Sequence, residues 1–181
     1  MGGANQQERP SRTSEEAKYF LAGFIEGEGS FAVSIKKHPN AKFGYLVDPE
    51  FFIYQHKSGR KLLELAKEIF GTGRIYPKSG NEDVLVFCID SRRNLKERVE
   101  PFVRKYLLPF SAKRETIERF FEIVDALERK EHHTSGGLAK IVKMAYEMNP
   151  NSKGKPRKRS IEEVLEGILR GHTPGASHDG M

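Results

Sequence analysis

Tyr19-Phe20-Leu21-Ala22-Gly23-Phe24-Ile25-Glu26-Gly27-Glu28-Gly29-Ser30 is the stretch on which the fold turns. It begins as a helix. Thr13 or Ser14 offers an N-cap oxygen, and Glu16, three residues after Thr13, completes a capping box. Ala17, Phe20, Leu21 and Phe24 recur at i, i+3, i+4 and i+7, which predicts one apolar face for a core. Gly23 and Gly27 lie one turn apart on another face, beside Tyr19. A glycine inside a helix costs about 1 kcal/mol against alanine, so a spaced pair points to close approach of a second backbone. Glu26 and Glu28 then stand at the C-terminal end, where the helix macrodipole disfavours carboxylates. Two acids there repel the dipole and each other unless a cation neutralises them. Oxygen ligands of this kind suit Mg²⁺, which takes one or two carboxylates together with waters and phosphate oxygens. The plain alternative is a solvated helix end rich in Gly and Glu. Against it stands the coincidence of apolar run, spaced glycines and acids at the wrong end of a dipole.

The nine residues Leu21 to Gly29 resemble the signature of the LAGLIDADG homing endonucleases, with Phe for the second Leu, Glu for both Asp and Gly for the second Ala. From about residue 14 to residue 170 the order of elements resembles that of the single-motif members, which act as homodimers. The resemblance implies an α+β fold with an αββαββα core. In that fold a curved antiparallel sheet sits as a saddle on the DNA major groove with helices on one face, here followed by C-terminal helices.

Composition narrows the class independently. The chain has 181 residues, enough to bury a real core, and a net charge of +6 that favours polyanions. No apolar run approaches the ~20 residues that span a bilayer, and no signal-peptide pattern opens the sequence. The single cysteine, Cys88, excludes an internal disulfide and a Cys-based zinc cluster, and reads as a small buried hydrophobe. These features predict a soluble protein of a reducing intracellular compartment.

Residues 1–12 and 172–181 are polar and aperiodic, and read as disordered ends of a core at 13–130 followed by helices and a basic loop at 131–171. Ser30 to Lys37 alternates, with Phe31, Val33 and Ile35 on one side. A second strand over Phe43–Gln55 is interrupted at Asp48-Pro49, which predicts a bulge or an edge position. Ser58 caps a helix to Phe70 that Gly71 stops. Two strands follow, Gly73–Lys78 and Asp83–Ser91; the apolar run from Val84 to Ile89 places the second inside the sheet. Ser91 opens a basic helix that Pro101 ends or kinks. Ser111 caps a longer helix with a buried stripe of Ile117, Phe120, Phe121, Val124 and Leu127. Leu138–Met148 forms another, and Ser160 with Glu163 starts the last.

The resemblance assigns roles by position. Glu28 falls at the metal-binding acid and the Gly27 carbonyl at a backbone ligand, so two copies of this helix end hold divalent metal against two scissile phosphates. Glu26 reads as a structural hydrogen bonder. Gln55 falls where a polar residue organises solvent, and Lys113 at a peripheral active-site lysine, with Arg114 as the alternative register. Mg²⁺ is the expected cofactor, with Mn²⁺ substituting and Ca²⁺ supporting binding without cleavage. Ser30, Ala32, Ser34 and Lys36, with Arg74, Tyr76 and Lys78, form the expected reading surface. Arg and Lys are the commonest readers of guanine edges, although a solvated strand face is the plain reading of the same residues. Lys57 and Arg60 are candidate phosphate contacts beside the site. Lys153, Lys155, Arg157, Lys158 and Arg159 form a basic loop, a linker or localisation signal by composition and a phosphate grip by resemblance. Tyr19, Gly23 and Gly27 form the expected dimer seam. The expected activity is metal-dependent hydrolysis of double-stranded DNA at a long pseudo-palindromic target. Two other readings are an intron RNA maturase and a DNA-binding regulator without catalysis.

Overall fold

The computed structural model describes residues 11–148 and 157–170. Helix α1 covers Glu15–Glu28 and is capped by Ser14, whose hydroxyl accepts from the Ala17 N–H at 3.2 Å. That moves the cap one residue beyond Thr13 and places Ala17, not Glu16, at the third helical position. The buried side of α1 is Leu21, Ala22 and Ile25. The expected inward stripe is therefore rotated: Phe20 is 56 % exposed. α1 carries apolar residues on two sides, so periodicity alone does not say which side faces the core. At its end Gly29 is required sterically. A Cβ there would lie 2.5 Å from the Ile25 carbonyl oxygen, so only glycine lets the chain turn directly from helix into strand.

Strands β1 (Gly29–Lys37), β2 (Tyr45–His56), β3 (Arg74–Lys78) and β4 (Asn81–Ile89) form one sheet in the order β1-β2-β4-β3. β4 lies inside it, as its apolar run predicts, antiparallel to both β2 and β3. β2 is also interior, not an edge strand. Its ladder with β4 runs only from Phe51, opposite Ile89, to His56, opposite Val84. Pro49 lies beyond the end of β4, so on that flank its missing N–H disrupts no ladder.

The chain divides into two compact units interleaved along the sequence: Met1–Ser30 with Phe51–Lys113, and Phe31–Glu50 with Arg114–Met181. In the first unit Phe51, Phe70 and Phe87 form an aromatic cluster, and Phe70 meets Phe102 edge-on at 5.0 Å. Each such side chain contributes roughly 1.5–3 kcal/mol on full burial. Phe70 ends helix α2 (Arg60–Phe70), which Gly71 stops at φ 65°. The α2 N-cap is Gly59, not Ser58. Ser58 sits in a preceding 3-10 turn, where its N–H donates to the His56 side chain.

Pro101 does not end the next helix. Helical backbone continues through residues 92–107 (α3) because two π turns, Leu95–Val99 and Val103–Leu107, bracket the proline. The Glu100 N–H reaches back to the Leu95 carbonyl and the Leu108 N–H to the Val103 carbonyl. The widened turns accommodate the ring and its missing donor. Glu100, buried on this helix, is clamped by Lys96 at 2.7 Å and Arg104 at 2.6 Å.

In the second unit Phe31 of β1 packs edge-on against Phe120 and Phe121 of α4 (Arg114–Glu128) at 5.3 and 6.1 Å. The predicted α4 stripe is buried throughout, joined by Ile123 and Ala126. Helix α5 (Ser135–Glu147) is capped by Thr134, and α6 (Ile161–Leu169) by Ser160, which accepts from the Glu163 N–H at 3.2 Å. Tyr45, Leu138, Val142, Val164 and Ile168 form this unit's second core cluster. No helix among the described residues is long and apolar enough to cross a membrane.

Candidate active site

The end of α1 and the turn before α4, both in the first unit, bring the candidate residues together. The Glu26 carboxylate accepts the Ser111 hydroxyl at 2.7 Å and the Ala112 N–H at 3.0 Å. Ser111 in turn accepts the Lys113 N–H at 3.0 Å, so it orders this turn rather than capping α4, which begins at Arg114. The Lys113 ammonium donates to the Glu26 carbonyl at 2.5 Å and to the Gly29 carbonyl at 3.3 Å. α1 has no basic residue in its own last turn. A cation from elsewhere in the sequence therefore meets the negative end of its macrodipole. Arg114, the alternative register, pairs with Glu118 on its own helix at 3.5 Å.

Glu28 is exposed at this helix end, and its carboxylate makes no hydrogen bond or ion pair with any other described residue. The two acids of the motif thus differ in kind. One is bound into the fold; the other presents its oxygens outward. Gln55, half-buried near the end of β2, folds its side-chain carbonyl onto the His56 N–H at 2.7 Å. A Cβ at Gly59 would lie 2.6 Å from the Gln55 side chain, so that glycine leaves room for it. Among the described residues no three His, Cys, Asp or Glu side chains converge to hold a metal. One chain alone offers a single carboxylate and backbone oxygens. That donor set fits Mg²⁺, which keeps several waters and shares phosphate oxygens, and does not fit a cation needing a protein cage.

On the sheet, the pairs Phe52–Cys88–Arg74 and Tyr54–Val86–Tyr76 project one face, and Phe51–Ile89 and Ile53–Phe87 the opposite one. The first face carries the expected Arg74 and Tyr76, and also Phe52 and Tyr54, which the sequence reading leaves out. Lys78 places its ammonium 5.5 Å from the Tyr54 ring centre. Most of the proposed cations there are held by carboxylates of the chain itself. Lys57 pairs with Asp83, Arg60 with Glu64 at 2.9 Å, and Arg74 with Asp90. In the second unit Lys36 pairs with Asp48 at 2.9 Å and Ser34 donates to Glu50 at 3.0 Å. Ser30 and Ala32 are half-buried on β1. Arg60 and Glu64 meet by i,i+4 spacing on α2, whereas folding of the sheet, not spacing, brings Asp48, Asp83 and Asp90 to their cations.

Of the basic loop, Lys153 and Lys155 lie outside the described residues, as do the segments 1–10 and 171–181. Arg157, expected in a phosphate grip, has partners within the chain. Its guanidinium donates to the Val33 carbonyl at 3.1 Å and the Ala145 carbonyl at 2.8 Å, and lies over the Tyr146 ring. It ties the loop to β1 and α5. Lys158 is exposed, and Arg159 lies 3.5 Å from Glu163. Tyr19, Gly23 and Gly27 are exposed on α1, and a Cβ at either glycine would meet nothing within 4 Å.

The family described as LAGLIDADG endonuclease matches residues 21–124. DNA endonuclease I-CeuI of Chlamydomonas moewusii is 35 % identical over 167 residues, covering 88 % of this chain and 77 % of that protein. Homing endonuclease I-ApeII of Aeropyrum pernix is 32 % identical, covering 81 % of this chain and 87 % of that one. Among solved structures, the archaeal intron-encoded homing endonuclease I-Vdi141I complexed with DNA superimposes with a TM-score of 0.80 at 36 % identity. It covers 87 % of this chain and 98 % of its own.

Proposed function

Because the chain belongs to the LAGLIDADG endonuclease family, we propose that Glu28 is the metal-binding carboxylate of a site completed by a second copy of α1. The activity is that of a site-specific homing endonuclease, the cleavage of DNA at a defined sequence. The observation that carries the site assignment is the contrast between Glu26, held by Ser111 and Ala112, and Glu28, which faces outward without a partner among the described residues.

Each residue then has a physical task. Glu28 brings a charged oxygen to the helix end, and the Gly27 carbonyl adds a neutral one. A divalent cation bound there would stabilise charge developing on the scissile phosphate and favour a nucleophilic water. Lys113 offsets the dipole that would otherwise oppose Glu28 and sets a positive charge beside the site. Gln55 presents an amide able to orient water. Two strands must be cut and one chain supplies one carboxylate, so the working unit is a two-fold dimer packed through Tyr19, Gly23 and Gly27. Its target is long and pseudo-palindromic. Mg²⁺ is the proposed metal, Mn²⁺ its substitute, and Ca²⁺ a support for binding alone.

The test is cleavage of a randomised duplex library by the full chain in Mg²⁺, with sequencing of the cut ends. A recurrent pseudo-palindrome cut on both strands with short 3′ overhangs is expected. Cleavage without sequence preference, or none, overturns the assignment.

A further inference from the structure

We infer that Asp90 is a specificity-determining positioning residue: it fixes the Arg74 guanidinium to read a guanine edge in each half of the DNA target. The inference rests on the proposed endonuclease function and on the expectation that the sheet face bearing Arg74 and Tyr76 meets the DNA. Arg74 opens β3, and Asp90 directly follows β4. The two meet fork to fork, Nη1 donating to Oδ1 at 3.1 Å and Nη2 to Oδ2 at 2.6 Å.

Arg74 is 62 % and Asp90 40 % exposed in their side chains, so water screens the pair and, even with bidentate geometry, its contribution to folding is modest. What the pair does is immobilise a long side chain. Both bonds use the guanidinium tips, so the Nε edge stays outside the pair. That edge offers parallel N–H donors of the kind that guanine N7 and O6 accept together.

Charge decides between base and phosphate. Beside Asp90 the guanidinium is already neutralised, so an approaching phosphate meets a carboxylate as well as a cation and gains little. A guanine edge is uncharged and needs only aligned donors, which the pair supplies in a fixed plane. Bidentate readers of this kind discriminate against a wrong base by about tenfold to a hundredfold.

The experiment selects bound sequences from a randomised duplex library in Ca²⁺, so that binding preference is read without cleavage. The proteins are the full wild-type chain, Arg74→Ala and Asp90→Asn, each checked by thermal melting. Wild type should show a guanine in each half-site that Arg74→Ala loses while other positions persist. Asp90→Asn should lower that guanine preference by about tenfold, tighten non-specific binding and steepen the salt dependence by about one ion. Two results overturn the inference: Asp90→Asn keeping the full guanine preference, or Arg74→Ala weakening all sequences equally with a shallower salt slope. A wild-type chain that selects no sequence at all refutes instead the DNA-facing role of the sheet. Selection without cleavage in Mg²⁺ refutes the catalytic assignment and leaves this one standing.

Discussion

The ammonium of Lys113 sits on the carbonyl oxygen of Glu26, 2.5 Å away, while the Glu26 carboxylate holds the turn that carries Lys113. Lys113 holds Glu26 directly, at its backbone carbonyl, while the Glu26 side chain holds Lys113 indirectly, through Ser111 and Ala112. The clamp explains how a helix tolerates two carboxylates at the negative end of its dipole. The Glu26 carboxylate is satisfied by hydrogen bonds, and a cation is fixed on the carbonyls of the same helix end.

Lys113→Met keeps the aliphatic stem and removes the charge. It gives up charge-assisted hydrogen bonds at a helix C-terminus, worth about 1–2 kcal/mol. Thermal denaturation should show a melting temperature lowered by a few degrees, and the cleavage rate should fall well beyond that modest loss. A variant with reduced stability and an unchanged cleavage rate would make Lys113 purely structural.

The two acids of the motif should separate in a paired experiment. Glu26→Ala leaves the Ser111 hydroxyl and the Ala112 N–H without their acceptor, at a cost of about 1–3 kcal/mol. Glu28→Gln removes no internal contact among the described residues, so its melting temperature should hold or rise slightly. DNA affinity in Ca²⁺ should survive in Glu28→Gln, whereas its cleavage in Mg²⁺ should drop by orders of magnitude. Near-normal cutting by Glu28→Gln would remove it from the mechanism.

Acid sensitivity has an identifiable contributor at the start of α1. The Lys18 ammonium, the Tyr106 hydroxyl and Lys105 hold the Glu15 carboxyl at about 2, below its ordinary 4.5. A carboxyl depressed in the folded state adds stability above its unfolded pKa and loses it as pH falls through the folded one. Wild type should therefore melt higher than Glu15→Gln at neutral pH. The gap should narrow below about 4.5 and close near 2. A gap that does not change with pH would show that Glu15 acts through packing rather than charge.

Much of this was legible where one local pattern settles one element. Alternation from Phe31 to Ile35 gives β1, the unbroken apolar run gives the interior strand β4, and the stripe from Ile117 to Leu127 gives α4. Legibility fails where two parts of the chain decide together. α1 is apolar on two sides, so only tertiary packing shows that Ile25 is buried and Phe20 is not. Proline chemistry predicts a break at Pro101, but two π turns absorb it, and no spacing rule foresees them. The site divides the same way. The acids of the motif are visible in sequence, but the opposite fates of Glu26 and Glu28 depend on a turn 85 residues later. Arg157 reads as one more loop cation until its bonds to Val33 and Ala145 are seen.

Gly23 gives the sharpest test of assembly. In the single chain a Cβ at this position enters open space, so no intrachain contact requires glycine there. Replacing glycine within a helix also adds helix propensity, close to 1 kcal/mol for alanine and somewhat less for leucine. Gly23→Leu should therefore fold at least as well as wild type, with an equal or higher melting temperature at low protein concentration. If a second α1 packs against this face, the leucine side chain must hold the two backbones apart. Sedimentation should then show a monomer where wild type is a dimer, and both Glu28 carboxylates would be lost from a shared site. Double-strand cleavage should disappear together with the dimer, since one chain supplies one carboxylate. Gly27→Leu should act likewise, its position being equally open. A dimeric Gly23→Leu that cuts at the wild-type rate would place the subunit interface elsewhere and require another reason for the two glycines.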